Sequence, residues 1–135
     1  MARAERAIRA LVAVALAAIS HAALAYDSER ARAYFAQELA ECGAWYALVA
    51  EAPGVGQIDQ IRFRAAGTSL VSTAADLTSE RWALDQMEIA TTTIRREMRN
   101  SWNNYPVVDK KYGRRCRAVA TDPVARRKYW LDKNF

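Results

Sequence analysis

The sequence predicts an all-α fold: a small antiparallel four-helix bundle with a short fifth helix at its C-terminal end. Three observations predict it. Apolar residues recur at steps of three and four through long segments, which is the period of a helix with one face turned inward. Helix-breaking pairs, Pro53-Gly54 and the run Asn103-Asn104-Tyr105-Pro106, fall between those segments. No stretch alternates apolar and polar residues long enough for a strand; Ile61 to Ala65 comes nearest and is brief.

The first element is set apart by its composition. Arg3, Arg6 and Arg9 precede a run from Ala10 to Ala25 that is mostly alanine and is interrupted by Ser20 and His21. As a helix this run reaches about 24 Å, short of a hydrocarbon core of about 30 Å. A basic start, a short apolar middle and the small residues Ala23 and Ala25 before Tyr26 have the pattern of a cleaved secretory signal peptide. Cleavage after Ala25 is expected, with the position after Ala22 as second choice. Residues 1–25 are therefore read as a signal peptide and residues 26–135 as one helical domain, exported to a periplasmic or extracellular space. No stable transmembrane span is expected after processing.

The first helix of the domain is predicted from Asp27 or Ser28 to Glu51, where Pro53-Gly54 must end it. Its inward stripe is Ala31, Phe35, Leu39, Cys42, Trp45, Tyr46 and Val49. The second helix starts near Ile58 and turns Ile61, Ala65 and Leu70 inward, with Gly67, Thr68 and Ser69 weakening it. Asp76 to Ser79 reads as a break and Thr78 as the cap of the third helix. That helix runs from Arg81 to Trp102 along Leu84, Met87, Thr91, Ile94, Met98 and Trp102. The fourth covers Val107 to Ala120, with Tyr105, Val108, Tyr112, Cys116 and Val119 inward and Gly113 as a local weakness. The fifth begins with Asp122 as cap and Pro123 at the first helical position.

Both cysteines lie after the expected cut. In an oxidising compartment an even pair reads as one disulfide, Cys42–Cys116, tying the first helix to the fourth.

The residue inventory excludes several chemistries. The only histidine is His21, inside the leader. The domain therefore lacks a Ser-His-Asp or Cys-His arrangement, an H-E-x-x-H zinc site and a C-x-x-C-H haem attachment. No cofactor or metal is expected, and the protein is read as a non-enzyme. Carboxylate chemistry survives the exclusion. Glu38, Glu41 and Glu51 on the first helix and Asp85 and Glu88 on the third keep a cell-wall glycan hydrolase as the alternative. Acids spaced along a helix are usually its wet face. Glu38 is the exception, since it falls beside the apolar stripe, where an arginine would have to neutralise it.

Charge is distributed unevenly. Tyr26 to Ile94 holds five arginines, no lysine and ten acids; Arg95 to Lys128 holds eleven basic residues and three acids. Two explanations compete: acidic and basic helices neutralise one another, or the basic half meets an anionic partner. Lys110, Arg114 and Arg117 recur at four and three and share an outward face. Arg126, Arg127 and Lys128 follow beside Tyr129 and Trp130. These six cations are the candidate contact to an anionic envelope lipid, wall polymer or protein partner, and the two aromatics are a candidate contact beside them. Export argues against nucleic acid. A small accessory subunit of an envelope complex is a further alternative.

Overall fold

The structure, a computed structural model, describes residues 2–133 and Phe135, with side chains from Tyr26 onward. The leader predicted over residues 1–25 lies outside the residues whose side chains are described. Among the described residues the fold is all-α, without a strand. Its elements are α1 (Ala2–Ala50), α2 (Gln57–Leu77), α3 (Glu80–Glu97), α4 (Tyr105–Val108), α5 (Arg114–Thr121) and α6 (Pro123–Asp132). No described helix is long and apolar enough to cross a membrane.

α1 is the centre of the domain. Between Phe35 and Ala50 every residue is buried except Gln37, Glu41 and Ala47. The predicted single stripe is therefore too narrow: α1 is apolar on nearly all sides, as a helix wrapped by others must be. Alanines and Gly43 on this segment let α2 and α3 approach closely while Leu39, Trp45 and Leu48 fill the remaining space.

The α1–α2 crossing depends on two glycines. A Cβ on Gly67 would stand 3.0 Å from the Gly43 carbonyl oxygen and 3.3 Å from the Tyr46 Cβ. Gly67 thus marks the point of closest approach rather than a simple weakness of the helix. This crossing corrects the face predicted for α2. Leu70 is buried as expected, together with Gly67 and Ala74, whereas Ala65 is exposed and Ile61 is 62 % exposed, as is Ile58 at the helix start (75 %). Small residues facing α1 win because they allow more backbone contact than two branched side chains near the helix start.

Ser79, not Thr78, caps α3: its hydroxyl accepts from the Trp82 N–H at 3.2 Å. The Thr78 hydroxyl instead donates to the Ala74 carbonyl at the end of α2. α3 also ends earlier than predicted. Arg99 and Asn100 take left-handed φ values of 52° and 53°, and the Asn100 N–H closes the last turn on the Arg95 carbonyl at 2.9 Å. Trp102 belongs to a separate 3-10 turn, Trp102–Asn104, and the Asn104 amide donates to the Met98 carbonyl at 2.9 Å. Leu84, predicted inward, is 51 % exposed.

The predicted fourth helix is α4 and α5 joined through a π-turn, Asp109–Gly113. Of its predicted inward residues, Val108, Tyr112, Cys116 and Val119 are buried and Tyr105 is half-buried. Gly113 has a use here. A Cβ at this position would collide with the Asp109 carboxylate and the Arg117 guanidinium, which pair across the wide turn at 3.1 Å. Asp122 caps α6 by accepting from the Ala125 N–H at 3.0 Å. The Cys42 and Cys116 sulfurs are bonded, with their Cα atoms 5.0 Å apart, so α5 is fastened covalently to the C-terminal part of α1.

Candidate binding face of α5 and α6

Glu38 is the one buried charged residue of the described core, 3 % exposed on the side of α1 that meets α6. Its carboxylate accepts two bonds from Arg126, from Nε to Oε2 at 2.7 Å and from Nη2 to Oε1 at 2.6 Å. The Trp130 indole Nε1–H donates to Oε2 at 2.8 Å. Arg126 and Trp130 are four residues apart, so they leave the same face of α6 and close on one carboxylate. The bidentate fork supplies geometry as well as energy, and it holds Arg126 protonated above the ordinary arginine range, mainly through these hydrogen bonds.

A second pair lies one turn along α1. Arg115 Nη2 donates to Glu41 at 2.9 Å, and its Nε stands 3.7 Å from Glu38. Glu41 and Arg115 directly precede Cys42 and Cys116, so the disulfide sets them side by side. Aromatic rings close the edge of the cluster. Tyr34 stacks between Trp130 and Phe135, at centroid distances of 5.4 and 5.3 Å. Arg30 covers the Phe135 ring at 4.8 Å, and the Arg126 guanidinium lies 4.1 Å from the Tyr129 centroid.

α6 has no fully buried residue of its own. Its position is consequently set by the Glu38 clasp and the aromatic stack more than by a hydrophobic face.

The six candidate cations divide into two groups. Arg126 is taken up by Glu38, Arg117 by Asp109 and Lys128 by Asp132. Lys110, Arg114 and Arg127 are exposed and form no ion pair among the described residues. Of the candidate aromatics, Tyr129 is exposed, while Trp130 is half-buried and spends its N–H on Glu38. Pairs that join the two halves, Arg126 and Arg115 with Glu38 and Glu41 and Arg95 with Glu51, account for part of the charge asymmetry. Lys110, Arg114 and Arg127 remain beyond it, as do the exposed Arg96 and Arg99, which also form no ion pair among the described residues. Among the described residues no group of three acids, cysteines or histidines is gathered as for a metal.

Arg115 and Glu41 meet in this cluster with Tyr34, Arg30 and Phe135; sequence reasoning named Glu41 only as a candidate carboxylate and did not foresee this pairing. One signal for the first two was available: opposite charges flank the two cysteines at the same offset. Nothing local marks Tyr34, Arg30 or Phe135, since their meeting depends on where α6 lands.

Three tyrosines near the core report on the same packing. Burial raises the hydroxyl pKa of Tyr46 and Tyr112, and burial together with the Asp109 carboxylate pushes Tyr105 up to about 12. A phenol whose folded pKa exceeds its unfolded value of about 10 stabilises the fold fully below pH 10. That contribution declines as pH rises from about 10 towards 12, because the unfolded chain ionises first. We expect the urea midpoint to fall over this window, and Tyr105→Phe to flatten the fall. Tyrosinate absorbance followed alongside should show a late-titrating fraction that Tyr105→Phe reduces.

Compared with protein-family models, curated proteins and solved structures, the chain matches none of them.

Proposed function

We propose that this chain is a non-catalytic binding protein of an oxidising envelope compartment, and that it meets an anionic envelope component through the α5–α6 face. Lys110, Arg114 and Arg127 supply the charge, and Tyr129 adds an exposed ring on α6. The observation that carries the reading is the Glu38 clasp. By fixing Arg126 and Trp130 inward, it holds the adjoining Arg127 and Tyr129 outward on an element with no core of its own. The disulfide and the composition of residues 1–25 support export. The partner's chemistry is phosphate or carboxylate oxygen, which arginine forks suit.

Vesicle cosedimentation tests this. Vesicles containing phosphatidylglycerol should bind the protein, phosphatidylcholine vesicles should not, and added salt should weaken the binding. A soluble anionic wall polymer, offered as competitor, separates a lipid headgroup from a polymer as the natural source. Each basic residue near an anionic surface is worth about 1 kcal/mol, so Arg114→Glu with Arg127→Glu should weaken binding by roughly thirtyfold or more. Binding to neither anion, or binding indifferent to both salt and charge reversal, would end the proposal.

A further inference from the structure

On the opposite side of α1 from α6, α2 and α3 leave a groove of 680 Å³ whose floor is Gly43, Ala47 and Gly67. Val71, Ala75, Leu84 and Met87 make its apolar walls. Leu84 in its wall is 51 % exposed, so this is apolar surface left without a cover. Its two ends carry opposite charge. Arg64 lies at one end of the α2 wall, and Asp76 and Glu80 lie at the other. None of these three forms an ion pair among the described residues. Twelve residues of helix place Arg64 and Asp76 about 18 Å apart along the axis.

We infer that this groove is the homodimer interface, and that its occupant is the α2 face of a second copy of the chain. A two-fold axis crossing α2 near Leu70 exchanges positions 64 and 76, so each Arg64 meets the partner's acidic end, and the contact occurs twice. That is the self-complementarity a closed isologous pair requires. At the axis the facing residues are Thr68 and Ser72, small enough for two helices to approach closely, and Leu84 of each copy projects towards the small Ala65–Thr68 surface of the other. A chemically different partner would have to carry the same charge order in reverse along a helix; a second copy does so by symmetry. The surface is separate from the α5–α6 face, so the two proposals fail independently.

The test is sedimentation equilibrium of the oxidised protein, expressed from the full coding sequence with whatever processing its own N-terminus directs. A reversible dimer is expected, weakened by salt. Arg64→Glu alone, and Asp76→Arg with Glu80→Arg alone, should each weaken it by roughly tenfold or more, since the symmetric pair loses two contacts at once and gains two repulsions. The combined charge swap should restore it, and Thr68→Trp should abolish it while helical circular dichroism stays unchanged. Arg114→Glu with Arg127→Glu should leave the dimer intact. A chain that remains monomeric at millimolar concentration overturns the inference. So does a dimer that ignores Arg64→Glu, or one that the combined swap fails to restore.

Discussion

Replacing Glu38 with glutamine is expected to lower the stability of the domain by about 3 kcal/mol, the lower end of what breaking a buried ion pair costs. The isostere keeps the shape but cannot accept the Arg126 fork and the Trp130 N–H as a charged carboxylate does. The lower end applies because the Arg126 side chain retains 25 % of its exposure and can recover some water. Against a typical total of about 5–15 kcal/mol the loss is large. It should also be local. α6 has no buried residue to hold it, so it should become the first site of limited proteolysis while α1 to α3 stay protected. Urea denaturation and proteolysis read the two effects separately. A change within about 0.5 kcal/mol, the range of ordinary surface substitutions, would show that α6 is held by the aromatic stack instead.

Cys42→Ala with Cys116→Ala is expected to have a still larger effect. The bond closes a sequence separation of 74 residues, for which the chain-entropy model gives about 4.5 kcal/mol at 25 °C. Both sulfurs are fully buried, so alanine also leaves small cavities, whereas serine would add unsatisfied hydroxyls. Reduction of the wild type should reproduce most of the loss. The effect should not add simply to that of Glu38→Gln. The disulfide sets Arg115 beside Glu41 and near Glu38, so the double variant should lose less than the two single losses combined. A urea midpoint that does not move on full reduction would mean that helix packing alone fixes the α1–α5 register.

The parts of this fold legible in the sequence are those encoded locally. Period-3.6 apolar spacing gave the helices, Pro53-Gly54 and Asp122-Pro123 gave two of their boundaries, and Val108, Tyr112, Cys116 and Val119 gave an inward face that is buried as read. Glu38 could be singled out because a carboxylate beside an apolar stripe demands a counter-charge. Leu70 was read correctly on α2, but Ile61 and Ala65 were misread because apolar spacing favours them, whereas close packing against Gly43 favours Gly67. The end of α3 was missed because Arg99 and Asn100 adopt left-handed backbone without a glycine to announce it. The π-turn at Asp109–Gly113 left no trace in the apolar spacing, which one widened turn hardly disturbs.

By itself, then, the sequence determined the all-α class, the pairing partners available to two cysteines and the absence of histidine chemistry from residues 26–135. Those follow from residue types and short spacings. Tertiary structure alone decided that α1 lies at the centre, which of the six candidate cations are consumed internally and which stay outward, and that a charged-ended groove opens between α2 and α3. These depend on which distant side chains meet, and Glu38 and Arg126 meet across 88 residues of chain. No local pattern can encode a contact whose partner is chosen by packing.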